Sequence, residues 1–288
     1  MNSNFVLMET SAMRCELRPD LGGCISGLWF QGLAVLRSSP ADHISSVRES
    51  ANFPLVPFSN RLANAHLEWG GEIFQLMENF APEPHSIHGL GWQRPWQVIE
   101  KNATSSRLTL SHRPDTFYDR IWPFAFNCEQ SFNLSEDSLH IEMQFTNTDE
   151  RTAPVGLGWH PYVVKRPGAH LDFKADSIWE TDCHKLPSVR LACPGLKVGC
   201  DSLEINNVFE GVDRGVTLID SSLQIQIKSS LPRLLISTQP AKNFIALEPV
   251  SHVPDAFNHS NYEQLGTVTL KKGQSWCAWM TIKVHQPS

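Results

Sequence analysis

The sequence predicts an all-β protein, a large antiparallel β-sandwich with residues 1–288 forming one domain. Three observations carry that expectation. Apolar residues recur with period two in several runs, turn signals separate those runs, and no long segment has a persuasive 3.6-residue apolar stripe. The 19 prolines point the same way, because proline interrupts helices. A chain of 288 residues can bury a sizeable core, and sandwiches of this length commonly form a single unit.

Taken in order, "RPDLGG" at 18–23 is a turn. Residues 41–65 are ambiguous, but Pro54 and Pro57 argue against one long helix there. "EIFQLM" (72–77) and "RLTLSH" (107–112) read as short half-buried strands. "LHIEMQF" sets Leu139, Ile141, Met143 and Phe145 on one face and His140, Glu142 and Gln144 on the other. Residues 166–215 are the most irregular part, broken by the turn signals "RPGAH" and "CPGLKVG". "LQIQIKS" repeats the alternation with Leu223, Ile225 and Ile227 against Gln224, Gln226 and Lys228, and "RLLIST" (233–238) follows. After the turn "KKGQ", the aromatic and β-branched "WCAWMTIKV" suits a late strand closing a sheet.

Composition excludes several function classes. Lys and Arg total 24 against 30 Asp and Glu, a formal charge of -6 with no basic stripe, which argues against nucleic acid and anionic membrane as partners. The start, "MNSNFVLMETSAMRCELRP", lacks the basic flank and long apolar run of a signal peptide, and no stretch reaches the roughly 18 apolar residues of a membrane span. Seven scattered cysteines, an odd number, fit a reducing cytoplasm; Cys193 and Cys200, which bracket "PGLKVG", are the one pair suited to an oxidising compartment. Neither G-x-G-x-x-G nor the P-loop pattern occurs, so nucleotide cradles are unsupported. There is no G-x-S-x-G elbow and no C-x-x-C pair.

The histidines include metal-ligand types: His85 and His88 in "HSIH", and His252, Asp255 and His259 in "HVPDAFNH". A metal needs three or four converging groups, and loop spacing does not supply convergence. These residues read as loop groups that hold a site's shape, and neither a metal nor another cofactor is expected.

Four stretches place ionisable groups in apolar or turn-rich context: Arg61 in "FPLVPFSNRLANAHLEWGG", His88 in "PHSIHGLGW", His160 in "GLGWHPYVV" and Glu248 in "FIALEPVSHVPDAFN". Glu248 is the most telling, since it follows a run that should be buried and a buried carboxylate is costly unless paired. Pattern alone leaves it open between a satisfied core carboxylate and a working one. It likewise leaves Arg61 between a structural salt bridge and a ligand clamp, and both histidines between packing and proton transfer.

Together the four stretches resemble the aldose 1-epimerase (galactose mutarotase-like) family. "PFSNRLANAHLEWGG" is similar to its Asn-Arg-Ile/Leu segment, "SIHG" to its Leu-His-Gly, "GWHPYVV" to its His-Pro-Tyr-Phe and "LEPVSHVPDAFN" to its Leu-Glu-Thr-Gln…Pro-Asp-Ala-x-Asn, in order, over about residues 20 to 284. The resemblance implies a supersandwich with a sugar lying across a concave sheet. It implies that Arg61 contacts sugar hydroxyls, that His88 assists, that His160 is the general acid and that Glu248 is the general base. "INNVFEG" puts Asn206 where the family often has an aspartate, so hydroxyl contacts there lose a charge. Trp92, Trp159 and Trp279 are stacking candidates, with core packing the plain alternative, and Trp159 and Pro161 are expected to hold the His160 ring.

The implied reaction interconverts the α and β anomers of a free hexose by ring opening and closure, with a small-molecule sugar as the partner and a monomer or homodimer as the working form. At neutral pH a glutamate is a ready base, and a nearby carboxylate should help the histidine keep its proton. Two other readings stand beside it. A hexose-6-phosphate 1-epimerase needs arginines converging on a phosphate, with Arg37, Arg48 and Arg94 available. A non-catalytic carbohydrate-binding protein would keep only the scaffold.

Overall fold

The computed structural model of the chain describes residues 5–114 and 120–287. Among these residues two large antiparallel sheets face one another. The nine-stranded sheet runs, edge to edge, Gln97–Lys101, Ser105–His112, Phe126–Leu134, Ser138–Asn147, Ser275–His285, Gln224–Ser229, Val216–Ile219, His170–Phe173, Leu196–Gly199. The eight-stranded sheet runs Pro187–Ala192, Ser177–Thr181, Ile205–Glu210, Arg233–Thr238, Phe244–Val250, Gly158–Trp159, Pro54–Leu55, and Tyr162–Val164 also pairs with Phe244–Val250. A four-stranded meander over residues 6–34 completes the chain's start. No helix among the described residues is long and apolar enough to cross a membrane.

The alternation seen in the sequence is what joins the sheets. Leu139, Ile141, Met143 and Phe145 are fully buried, as are Met280 and Ile282 beside them and Ile245, Leu247 and Ile236 from the other sheet, all in one apolar cluster. Their strand neighbours His140, Glu142 and Gln144 point outward. This is the large antiparallel sandwich the sequence predicts.

The last strand, Ser275–His285, is the late sheet strand expected of "WCAWMTIKV"; it lies between Ser138–Asn147 and Gln224–Ser229 and joins the two halves of the nine-stranded sheet. Its alternating apolar residues explain that central place. Residues 166–215, which look irregular in sequence, carry five strands. The hairpin Ser177–Thr181/Pro187–Ala192 extends past the core with its second strand mostly exposed, so it has no buried face to impose alternation. All seven cysteines are free thiols, Cys193 and Cys200 included.

Directly opposed residues of an antiparallel sheet share a face, so register places the site. On the outer face of the eight-stranded sheet, one cross-strand row reads Asn206–Ser237–Ala246–Tyr162 and the next reads Val208–Leu235–Glu248. Ser237 and Ala246 are small, which hollows the sheet surface in front of Glu248.

Candidate active site

The hollow is a cavity of about 280 Å3 lined by Asn60, Arg61, Phe80, Glu83, Ile87, His88, His160, Tyr162, Lys185, Asn206, Leu235, Ser237, Phe244, Ala246 and Glu248. Glu248 comes from the strand Phe244–Val250, whose alternate residues Ile245 and Leu247 are anchored in the core. Its side chain is therefore fixed to the outer face, where it is 2% exposed.

His160 reaches the same spot from between two short strands, Gly158–Trp159 and Tyr162–Val164, both paired with Phe244–Val250. The glycines of "GLGWHP" make the approach possible. A Cβ on Gly156 would lie 2.0 Å from the His252 ring, and one on Gly158 would lie 2.8 Å from the Pro249 carbonyl oxygen. The His160 backbone N–H donates to the Phe53 carbonyl (3.0 Å), and the ring stacks on Phe53 with centroids 4.6 Å apart and 28° between planes. Tyr162 flanks it at 4.4 Å. Trp159 faces the opposite way, fully buried in the core, so Phe53 and Tyr162 do the holding expected of Trp159 and Pro161.

His160 Nε2 stands 3.0 Å from Glu248 Oε1. The other carboxylate oxygen, Oε2, is buried and has no hydrogen-bond partner among the described residues. Burial pushes the Glu248 carboxyl well up, only partly countered by the Arg61 charge, and pushes the His160 imidazole down to about 3. This corrects the expectation that a neighbouring carboxylate keeps His160 protonated: in this enclosed setting desolvation outweighs it. Both groups move toward their uncharged forms, so the resting pair holds one proton along the 3.0 Å contact.

His88 sits in a left-handed backbone conformation (φ 62°) just before Gly89. It is locked to Asn60 in both directions: its N–H donates to the Asn60 carbonyl (2.8 Å), and its Nδ1 accepts from the Asn60 N–H (3.0 Å). With Nδ1 an acceptor, the neutral ring carries its proton on Nε2 and can act as a donor. Burial, His160 and Arg61 together hold His88 well below the usual histidine range.

Arg61 lines the cavity with its guanidinium already clamped. Nε and Nη2 donate to the two Glu83 oxygens (2.7 and 3.0 Å), and Nη1 donates to Asn60 Oδ1 (3.0 Å). Lys185 adds a 2.6 Å contact to Glu83. Burial pushes the Glu83 carboxyl up, but the Arg61 and Lys185 hydrogen bonds outweigh it and hold it down to about 2. The short strand Arg61–Leu62, which pairs with Ser86–Ile87, is pinned from behind. Asp255 donates its N–H to the Arg61 carbonyl and accepts from Ala63 N–H, and His252 Nε2 accepts from Ser59 N–H. His85 Nδ1 accepts from Asn64 N–H. These groups of "HSIH" and "HVPDAFNH" bond to backbone and shape the site.

The structure thus brings Arg61, His88, His160, Glu248 and Asn206 to one cavity. The three tryptophans lie elsewhere. Trp92 is buried behind the site, stacked on Phe53 at 5.6 Å and donating to backbone carbonyls. Trp159 is core, and Trp279 is on the outer face of the nine-stranded sheet opposite Glu142. Aromatic lining comes from Phe80, Tyr162 and Phe244 instead. Tyr162 stood inside "GWHPYVV", whereas Glu83, in the loop "APEPH", gave no sequence signal beyond a carboxylate near a histidine. Arg37, Arg48 and Arg94 are not among the lining residues: Arg37 covers the Tyr162 ring (3.9 Å) and Arg48 the Phe80 ring (4.3 Å). A larger groove of about 780 Å3 lies around Trp69 and Tyr262, but its carboxylates, Glu68 and Glu72, are exposed, and size alone does not make an acid–base site.

A model of the aldose 1-epimerase family matches residues 6–283. The chain is 26% identical to the Escherichia coli K12 protein YphB over 92% of this chain and 94% of that one. It superposes with TM-score 0.88 on a solved Escherichia coli K12 structure (25% identity, covering 98% and 99% of the two chains). A galactose mutarotase-like protein from Clostridium acetobutylicum superposes with TM-score 0.87 (18% identity, 98% and 95% covered). With that match over nearly its whole length, the chain belongs to the aldose 1-epimerase family.

Proposed function

We propose that the chain is a mutarotase, interconverting the α and β anomers of a free aldose by general acid–base ring opening and closure. The observation that carries this reading is Glu248: a carboxylate 2% exposed, 3.0 Å from His160 Nε2, with Oε2 unpaired, on the floor of a cavity sized for one small polar ligand.

Glu248 takes the proton of the sugar's C1 hydroxyl at its free oxygen while His160 Nε2 gives one to the ring oxygen O5. The C1–O5 bond breaks, leaving an open-chain aldehyde with a hydroxyl on C5. Rotation about C1–C2 and the reverse transfers close the ring on the other face. The proton count fits the pair. The forward step turns carboxylate plus imidazolium into carboxylic acid plus imidazole, the uncharged arrangement that burial favours. The ionic arrangement is one proton shift away along the Nε2–Oε1 contact, and a C1 hydroxyl donating to Oε2 draws the pair toward it. His88, its Nε2–H facing the same space, is a second donor toward O5 or a neighbouring hydroxyl. Arg61 and Asn206 supply donors along the wall.

A free sugar is favoured over a phosphorylated one because the cavity's two cations, Arg61 and Lys185, are both engaged by Glu83. Polarimetry on freshly dissolved α-glucose, α-galactose and a hexose 6-phosphate tests the reading. The expected result is faster relaxation of a free sugar. Preference for the phosphate ester would make it a phosphate-sugar epimerase, and acceleration of none would leave a binding protein.

A further inference from the structure

We propose that Arg37 is a positioning residue for the reaction: acting through Tyr162, it fixes the His160 ring and sets a permanent positive charge behind the proton donor, so that the proton leaves readily for O5. This rests on the mutarotase reading and extends it to a residue that does not line the cavity. Planar groups form a continuous column through the site. The Arg37 guanidinium carbon lies 3.9 Å from the Tyr162 ring centroid. Tyr162 and His160 are 4.4 Å apart, His160 and Phe53 4.6 Å, and Phe53 and Trp92 5.6 Å. Planar groups that both come this close to one centroid have no room on one face, so Arg37 and His160 flank Tyr162 from opposite sides. The guanidinium then stands about 8 Å from the imidazole with a phenol ring between them, close enough for its charge to be felt.

The chain holds Arg37 at both ends. Its backbone N–H donates to the Tyr162 carbonyl (2.7 Å), next to the Leu36–Val163 bridge, so the side chain starts beside Tyr162 and returns over its ring. The guanidinium donates from Nη2 to the carbonyls of Arg48 (2.7 Å) and Ser50 (2.6 Å), and from Nε to Ser50 (3.2 Å). The same stretch runs on to Ala51, whose carbonyl accepts from Tyr162 N–H (2.9 Å), and to Phe53, whose carbonyl accepts from His160 N–H (3.0 Å). One side chain thus ties together the two segments that sandwich the imidazole. A lysine in its place would keep the charge but lack the fork.

The other groups around His160 leave Arg37 as the fixed charge. Glu248 Oε1 is the proton partner at 3.0 Å. His88, ring to ring at 5.4 Å, is held neutral, chiefly by burial. Phe53 is apolar, and burial and Glu248 push the Tyr162 phenol up to about 12, so it is neutral too. Arg61 is matched by Glu83. Arg37 meets uncharged carbonyls, and Glu49, the carboxylate that acts on it, is exposed and turned to the Ser45 and Ser46 N–H groups. Burial is the main reason that His160 holds a proton weakly, and the Arg37 charge works in the same direction. A cation behind the ring disfavours imidazolium. It therefore favours the uncharged resting pair and makes the protonated donor a stronger acid toward O5.

The test compares wild type with Arg37→Gln, which loses the charge, and Arg37→Lys, which keeps it and loses the fork. Mutarotation is followed by polarimetry across the pH range in which circular dichroism shows each protein folded, with kcat and KM separated. Removing a nearby cation raises both apparent pKa values of the His160–Glu248 pair. The rate profile of Arg37→Gln should therefore move to higher pH by about one unit, with kcat at its optimum about three- to tenfold lower and KM changed less. Arg37→Lys should keep the wild-type position of the profile, whatever its rate. A part confined to holding the fold would slow both variants without moving the profile, and a part in binding would raise KM without moving it; either result overturns the proposal. Should Arg37→Gln fail to fold, Arg37→Met, which fills the space without charge, is read in the same way. If no sugar is mutarotated, the mutarotase reading falls, and NMR titration of the His160 ring decides the role of Arg37 separately. A titration about one unit higher in Arg37→Gln upholds its action on the ring, and an unchanged one overturns it.

Discussion

Each large sheet carries a glutamate on the outward face of an interior strand. Glu142 belongs to Ser138–Asn147 and Glu248 to Phe244–Val250; both strands bury their alternate residues in the same core. Glu142 is exposed, opposite Trp279. Glu248 is buried, pushed toward its protonated form and set against an imidazole. The sheets do not make that difference, since both position an outward carboxylate equally well. What differs is the cover: Phe53, His88, and the Arg61 and Glu83 loops fold over the eight-stranded sheet and exclude water there. A strand fixes where a carboxylate points, and the loops above it decide whether its proton becomes useful.

The sharpest way to break this comparison is to neutralise each glutamate in turn. Glu248→Gln keeps shape and contact with His160 but cannot accept the C1 proton. Its mutarotation rate should fall by about 10²- to 10⁴-fold, while Glu142→Gln leaves the rate unchanged. Polarimetry on both variants, with circular dichroism to show that they fold, decides it. Full activity in folded Glu248→Gln would assign the base elsewhere.

A smaller effect is expected at the rim. Glu83 holds the Arg61 fork in place, so Glu83→Gln should raise KM roughly tenfold, about one charge-assisted hydrogen bond, with kcat changed less. An equal fall in kcat with KM constant would mean that Glu83 acts on the transition state and not on binding.

The alternation and the sandwich were legible in the sequence because period two is set within single strands; the outward aim of Glu248 was not, because "FIAL" is a continuous apolar run with no alternation to assign it a face. The four site stretches were legible through family resemblance. What could not be read is which aromatic rings line the cavity. Trp159 and Tyr162 sit three residues apart, one in the core and one on the cavity, and the turn at His160–Pro161 between two short strands decides which is which. Glu83 was hidden because its partnership with Arg61 joins loops 22 residues apart with no pattern between them. The His160 protonation was misjudged because burial, the larger influence on it, exists only once Phe53 and Tyr162 close around the ring.

Stability should show what burial does to Glu248 and to His160. Unfolded, Glu248 ionises near 4.5; folded, it does so well above that. Its contribution is therefore complete below pH 4.5 and declines as pH rises past it. His160 works in the opposite direction: with its folded value near 3 against 6.5 unfolded, its contribution is complete above 6.5 and is lost as pH falls toward 3. Glu248→Gln removes the alkaline decline alone. The melting temperature of the variant should match or exceed wild type at pH 8, by a larger margin than at pH 5. A variant less stable than wild type at pH 8 would show that the ionised pair stabilises the fold.

The smallest effect belongs to the uncovered sheet. Trp279 is 38% exposed and rests against His140 with centroids 5.9 Å apart. Its ring stays open to solvent, and the core side of its strand is held by Ala278 and Met280. Trp279→Ala should change stability by no more than about 0.5 kcal/mol and leave mutarotation untouched. The same substitution type at Trp92, buried behind Phe53 and against His88, should cost about 3–5 kcal/mol and loosen the ring on which His160 stacks. Urea denaturation and polarimetry on the two variants measure both quantities. If Trp279→Ala slowed a folded enzyme, the nine-stranded sheet's outer face would have a part in the reaction, and loop cover would no longer be what separates the two glutamates.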